Sequence, residues 1–157
     1  MKGKLVIIMV GLPARGKSTM ARKLGRTLEM DGVRVRIFNN GELRRKQDKD
    51  ASTSSSEFFS PTNVQGRELR ERISRMNTEL AQAFLRDGGE VAIIDASNVT
   101  RQRRQCLIAA FPDLPRLFVE CVNADDEALE ANLERKAELK EFSHLTREKA
   151  LEYLARP

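Results

Sequence analysis

The chain has no tryptophan, one tyrosine, one histidine and two cysteines among its 157 residues. With so few aromatic rings of the right kind, it has little from which to build platforms for stacking single-stranded bases. Cys106 and Cys121 stand without metal-ligand spacing between them, which argues against a cysteine metal site. Both fall in apolar patterns, which predicts reduced, inert core thiols and a cytoplasmic protein. No apolar run approaches the ~20 residues of a bilayer crossing. Met1-Lys2-Gly3-Lys4 leads into a strand-like run of about six apolar residues, too short for a secretory leader. What is present in excess is positive charge: the net charge is +5. That favours an anionic partner without separating phosphosugar, nucleotide and nucleic acid. The length suits one domain over residues 1–157 with a sizeable core.

One stretch carries the chemistry. Leu5-Val6-Ile7-Ile8-Met9-Val10 is a short apolar run rich in β-branched residues. Gly11-Leu12-Pro13-Ala14-Arg15-Gly16-Lys17-Ser18 follows it and fits G-x-x-x-x-G-K-[ST], and a helical pattern opens at Thr19. Strand, glycine-bounded loop and helix, in that order, make a phosphate-binding loop. Glycine at 11 and 16 lets the main chain come close to a ligand. The loop amides then converge on a concavity to which the next helix adds its positive end. Lys17 is placed to reach the β- and γ-phosphates of ATP, and the Ser18 hydroxyl to ligate Mg²⁺.

The rest of the chain reads as alternating helices and strands. Met20, Leu24 and Leu28 recur four apart on an amphipathic helix ended by Asp31-Gly32. Val33-Arg34-Val35-Arg36-Ile37-Phe38 alternates like a half-buried strand and completes a βαβ unit with parallel strands. Ligands of open α/β sheets gather at the carboxyl ends of the strands. Arg44, Arg45 and Lys46, just after this strand, are therefore near a substrate. Residues 49–60 are poor in apolar residues apart from Phe58-Phe59 and read as a substrate-covering loop. Leu69, Ile73, Met76, Leu80 and Phe84 predict a long amphipathic helix over residues 62–86, its other face carrying Arg67, Arg70, Arg72 and Arg75.

Glu90-Val91-Ala92-Ile93-Ile94-Asp95 is apolar through its middle, as a central parallel strand would be. It delivers Asp95 to the edge where a second acidic group would hold Mg²⁺ and its waters. Thr100 reads as the N-cap of a helix beginning Arg101-Gln102-Arg103-Arg104. Three arginines there oppose the helix dipole, a broken local rule that marks a functional position and suits a phosphate clamp. A further strand lies within residues 114–122, and helical segments follow from Asp125-Asp126 and after Thr146. No repeat or linker defines a second domain. The fold class is α/β: a three-layer P-loop NTPase sandwich, with a parallel sheet of four to five strands and helices on both faces.

The phosphate loop resembles that of the 6-phosphofructo-2-kinase family, the kinase half of the bifunctional enzyme that makes and removes fructose 2,6-bisphosphate. The similarity continues through Phe38-Asn39-Asn40-Gly41-Glu42-Leu43-Arg44-Arg45, Phe58-Phe59-Ser60-Pro61-Thr62-Asn63 and Asp95-Ala96-Ser97-Asn98-Val99-Thr100-Arg101-Gln102-Arg103-Arg104. The resemblance implies that Gly11 through Thr19 wrap the ATP phosphates, that Ser18 and Asp95 hold magnesium, and that Asp95 helps to deprotonate the sugar 2-hydroxyl. Lys17 would neutralise the transferring charge. Arg44, Arg70, Ser97 and Arg103 match positions that hold fructose 6-phosphate, and Asn132 matches one near the adenine. Lys136 stands nearest to a lysine that follows it in the family, and Arg156 matches a late sugar-phosphate arginine.

Asn123 stands where the family commonly has cysteine, and Glu138-Leu139-Lys140-Glu141-Phe142-Ser143 replaces a Ser-Pro-Asp-Tyr segment. A fifth strand is absent from the pattern. No Arg-His-Gly signature occurs and the only histidine is His144, so no phosphatase domain is expected. Two alternatives stand beside the sugar-phosphate kinase: a polynucleotide or nucleoside kinase, and a nucleotide-binding module without catalysis. Nucleic acid is the less favoured partner, a phosphorylated sugar the favoured one, and no membrane partner is expected.

Overall fold

The computed structural model describes residues 3–12, 16–47 and 64–122. In chain order these form β1 (Leu5–Val10), α1 (Lys17–Met30), β2 (Val35–Asn39), α2 (Asn40–Gln47), α3 (Val64–Arg86), β3 (Val91–Asp95), α4 (Arg101–Ala110) and β4 (Arg116–Glu120). All strand pairs are parallel, in the order β2-β3-β1-β4. β1 and β3 lie in the middle, where both faces must be covered. Their consecutive apolar residues serve opposite faces. Val6, Ile8, Val10, Ala92 and Ile94 join Phe38, Leu85, Leu107 and Phe111 on one side. Ile7, Met9, Val91 and Ile93 pack with Ala21 and the flanks of α1 on the other. Four strands are present among the described residues, at the lower end of the expected range.

Of the predicted apolar helix positions, Leu24, Leu28 and Phe84 pack against the core and Ile73 is buried, but the most buried lines also run through small and polar residues. On α1 the buried positions are Lys17, Ala21 and Gly25, while Met20 is 42% exposed. The reason is close approach: Gly25 has no side chain, so the helix axis comes down onto Ile37. On α3 the buried line runs through Gly66, Ile73, Ser74, Asn77, Ala81 and Leu85, and Leu80 is 49% exposed. Helix α1 ends at Asp31-Gly32 as expected. The carbonyls of Leu85 and Gly89 at the end of α3 accept from the Lys4 ammonium. Cys106 is exposed on α4, which corrects its assignment to the core, because the buried line there passes through Leu107; Cys121 is half-buried. No helix among the described residues is long and apolar enough to cross a membrane.

Because the strands are parallel, their carboxyl ends share one edge. The register sets Met9 and Asn39 on either side of Asp95. The chain leaves β1 toward β2 on one side and reaches β4 on the other. The crevice between β1 and β3 is therefore where the winding reverses, the place where such sheets bind ligands.

Candidate functional site

The loop after β1 begins at that crevice. The Gly11 N–H donates to the Ser97 carbonyl at 3.0 Å, and the Cys121 N–H to the Val10 carbonyl at 2.8 Å. These bonds tie the start of the loop to the turns that follow β3 and β4. A Cβ on Gly11, at φ +154°, would stand 2.9 Å from the Cys121 carbonyl oxygen, so no side chain fits there. Gly16 caps α1 in the left-handed region, at φ 82°. The first turn of α1 carries no acidic residue, so the positive end of the helix faces the loop unneutralised by its own side chains. Helix α1 opens at Lys17, two residues earlier than the sequence pattern suggests. Pro13, Ala14 and Arg15 lie outside the described residues.

Lys17 is buried, and its Nζ donates to the Leu12 carbonyl at 3.3 Å. The next residue turns toward β3: the Ser18 hydroxyl donates to Asp95 Oδ2 at 2.8 Å. Thr19 is exposed. Asp95 is 3% exposed, a charge that burial would penalise without partners. A second donor supports it, Asn39 Nδ2, at 2.8 Å from the same Oδ2. Cys121 flanks the pair. Burial pushes its thiol above the usual value, with Lys17 pulling it down and Asp95 pushing it up, so both charges act on this corner of the site.

The turn after β3 is held by buried contacts. Asn98 takes φ 50°, and its Nδ2 donates to the Met9 carbonyl at 2.9 Å. Arg104 Nη1 donates to the carbonyls of Asn98 at 3.2 Å and Val99 at 2.7 Å. Of the three arginines read as a clamp, Arg104 is thus engaged with the main chain. Thr100 Oγ1 accepts the Arg103 N–H at 3.1 Å and caps α4, as its sequence position suggests. Ser97 and Arg103 are half-buried at this edge. Arg101 lines a cavity of about 520 Å³ between α4 and β4, with Ile108 and Phe118.

Arg44 and Arg70 approach from the other side. Arg44 lies on α2 and Arg70 on α3, both half-buried, and the two helices are in contact. Asn77 Nδ2 donates to the Phe38 carbonyl at 2.9 Å, where β2 ends. Helix α3 positions N-terminal to Asn77, among them Arg70, therefore run on past the sheet edge beside α2. Asn132, Lys136 and Arg156 lie outside the described residues.

Asn39 and Asn98 stand inside the motifs quoted above but received no role of their own from the sequence, and Asn77 was passed over. Asn39 had a signal, since an asparagine three residues before Glu42 is a helix-start pattern. Asn98 had a weaker one, tolerance of left-handed backbone. Asn77 had none beyond being polar within a helix.

Two oxygen donors from different elements, Ser18 Oγ and Asp95 Oδ2, meet at the crevice. Among the described residues no cluster of three His, Cys, Asp or Glu side chains forms a fuller cage. One or two protein oxygens, with phosphates and waters completing the shell, is the usual manner of holding Mg²⁺. The residues present fit that ion.

The family model described as 6-phosphofructo-2-kinase matches residues 1–156. Human 6-phosphofructo-2-kinase/fructose-2,6-bisphosphatase 3 is 37% identical over 131 residues, covering 82% of this chain and 25% of that protein. The 6-phosphofructo-2-kinase 1 of Saccharomyces cerevisiae is 39% identical over 141 residues, covering 85% of this chain and 17% of that one. The chain spans about a quarter or less of these curated relatives' length. Among solved structures, a chain of a Pnkp1/Rnl/Hen1 complex is 26% identical, with TM-score 0.61, covering 82% of this chain and 38% of that one. An APS kinase of Mycobacterium tuberculosis shares the fold at 22% identity and TM-score 0.56, covering 76% and 75%.

Proposed function

The chain belongs to the 6-phosphofructo-2-kinase family, and from that membership we propose that it transfers the γ-phosphoryl group of ATP to the 2-hydroxyl of fructose 6-phosphate. The observation that carries the reading is the 2.8 Å contact of Ser18 Oγ with Asp95 Oδ2 beside the glycine loop. It brings together two protein oxygens able to hold a metal at the carboxyl edge of the sheet, beside the start of the glycine loop.

Phosphoryl transfer asks mainly for positioning and for compensation of charge. The loop amides of residues 11–19 hold the β- and γ-phosphates, and Lys17 offsets charge on the transferred group. Ser18 and Asp95 would hold Mg²⁺, which would supply neutralisation of the phosphate charge. Asp95 also takes the proton of the attacking 2-hydroxyl. The new bond joins that oxygen to the γ-phosphorus as the bond to the ADP oxygen breaks. Arg44, Arg70, Ser97 and Arg103 bind the 6-phosphate and the sugar, with Lys136 and Arg156 completing that subsite and Asn132 lying against the adenine. We place the reaction in the cytoplasm.

Labelled γ-phosphate supplied with fructose 6-phosphate, glucose 6-phosphate and a 5′-hydroxyl oligonucleotide tests the acceptor. Label on fructose 6-phosphate is the expected result. Label on the oligonucleotide alone would favour the nucleic-acid-end kinase, and tight ATP binding without any transfer would favour a non-catalytic module.

A further inference from the structure

Asn39 has no part in the transfer described above, yet both ends of its side chain are engaged. Its Nδ2 donates to Asp95 Oδ2 at 2.8 Å, the oxygen that also accepts the Ser18 hydroxyl. Its Oδ1 accepts the Glu42 N–H at 2.9 Å and so caps α2, the helix that carries Arg44. The register of β2 against β3 sets Asn39 directly beside Asp95, so the short amide spans the gap. The neighbouring residue is pinned from the other side. Asn77, 3% exposed, donates to Asn40 Oδ1 at 2.7 Å and to the Phe38 carbonyl. The first turn of α2 is thus fixed to β3 through one asparagine and to α3 through the next.

The residue type is what the geometry needs. Only an amide of this length offers an acceptor to a helix start and a donor to a carboxylate at once. Aspartate would keep the cap and lose the donor, and serine would keep the cap and fall short of Asp95. Turning the side chain away from Asp95 also uncaps the helix, and shifting the helix draws Nδ2 off the carboxylate.

We infer that Asn39 is a positioning residue that ties the orientation of the Asp95 carboxylate to the seating of α2, so that metal–nucleotide and sugar-phosphate binding are coupled through one side chain. The inference rests on the roles proposed for Asp95 and Arg44. Coupling of this kind is reciprocal: each ligand tightens the other by the same factor.

The test compares wild type with Asn39→Ser, which keeps an N-cap acceptor, and Asn39→Ala, which keeps neither contact. Mn²⁺·ATP binding is followed by electron paramagnetic resonance, with and without fructose 6-phosphate, beside thermal melts of each variant. Wild type should show an enhancement of roughly fivefold or more, the lower range of typical coupling. Asn39→Ser should melt close to wild type, bind Mn²⁺·ATP about tenfold more weakly, as losses of supporting partners behind a metal ligand do, and lose the enhancement. Asn39→Ala should add a lowered melting temperature. Wild-type Mn²⁺·ATP affinity in Asn39→Ser would overturn the inference. If fructose 6-phosphate leaves the Mn²⁺·ATP affinity of wild type unchanged, the coupling falls, and label transfer to fructose 6-phosphate, measured separately, shows whether the proposed acceptor falls with it.

Discussion

Lys17 occupies an unusual place for a lysine, 7% exposed with its stem against Gly11 and its ammonium on the Leu12 carbonyl. Replacing it by methionine keeps the stem and removes the charge. Lys17→Met should therefore fold with an unchanged circular dichroism melt, while phosphoryl transfer falls by ~10²–10³ or more, as when a preorganised charge-stabilising donor is lost. Radiolabel transfer measures the second effect. Gly11 makes the opposite point, that a missing side chain can be required. Gly11→Ala sets a methyl 2.9 Å from the backbone carbonyl oxygen of Cys121, a residue whose own N–H donates to the Val10 carbonyl. It should cost about 1–3 kcal/mol in urea denaturation, the range for backbone strain of this kind. These positions were legible because a glycine-bounded loop states its backbone needs in its own residues. Cys106 was not, because neighbouring positions of a helix differ by a large rotation and its apolar surroundings gave no phase.

At the scale of elements, strands were easier to read than helix faces. β1 and β3 announce themselves by consecutive apolar residues, and the carboxylate at the end of β3 follows from where a parallel strand stops. Helix periodicity instead picked out the bulky residues flanking the contact line, Met20 and Leu80, and passed over Ala21, Gly25, Asn77 and Ala81 on it. Small residues let a helix approach a sheet closely, and a polar one can be buried when backbone at a strand end needs a donor. Asn77→Leu should therefore destabilise despite its added apolar surface. It leaves the Phe38 carbonyl and Asn40 Oδ1 without their donor, at about 1–3 kcal/mol, measurable by chemical denaturation. At the start of α4 the capped turn presents Arg103 at the sheet edge. Arg103→Ala should raise the KM for fructose 6-phosphate about tenfold or more, the worth of a charge-assisted hydrogen bond, and leave the KM for ATP nearly unchanged. Initial-rate kinetics with each substrate varied separates these effects.

At the scale of the whole molecule, the strand order β2-β3-β1-β4 turns scattered motifs into one site. Gly11, Lys17, Ser18, Asn39, Asp95 and Ser97–Arg104 are far apart in the chain and meet because parallel strands end together. The sequence pattern conveyed a parallel sheet with ligands at its carboxyl edge. It did not convey the reversal between β1 and β3, which depends on long-range pairing that no local pattern records. The net charge of +5 agrees with an anionic ligand at that edge but does not choose one. In the proposed function, the glycine loop, Ser18 and Asp95 together hold the metal-bound tail of ATP. A crystal grown with Mn²⁺ and a non-hydrolysable ATP analogue tests it most directly, through the anomalous signal of the ion. One strong peak is expected beside Ser18 Oγ and Asp95, with the analogue's phosphates inside the loop. A peak elsewhere, or phosphates bound away from the carboxyl edge of β1, would contradict it.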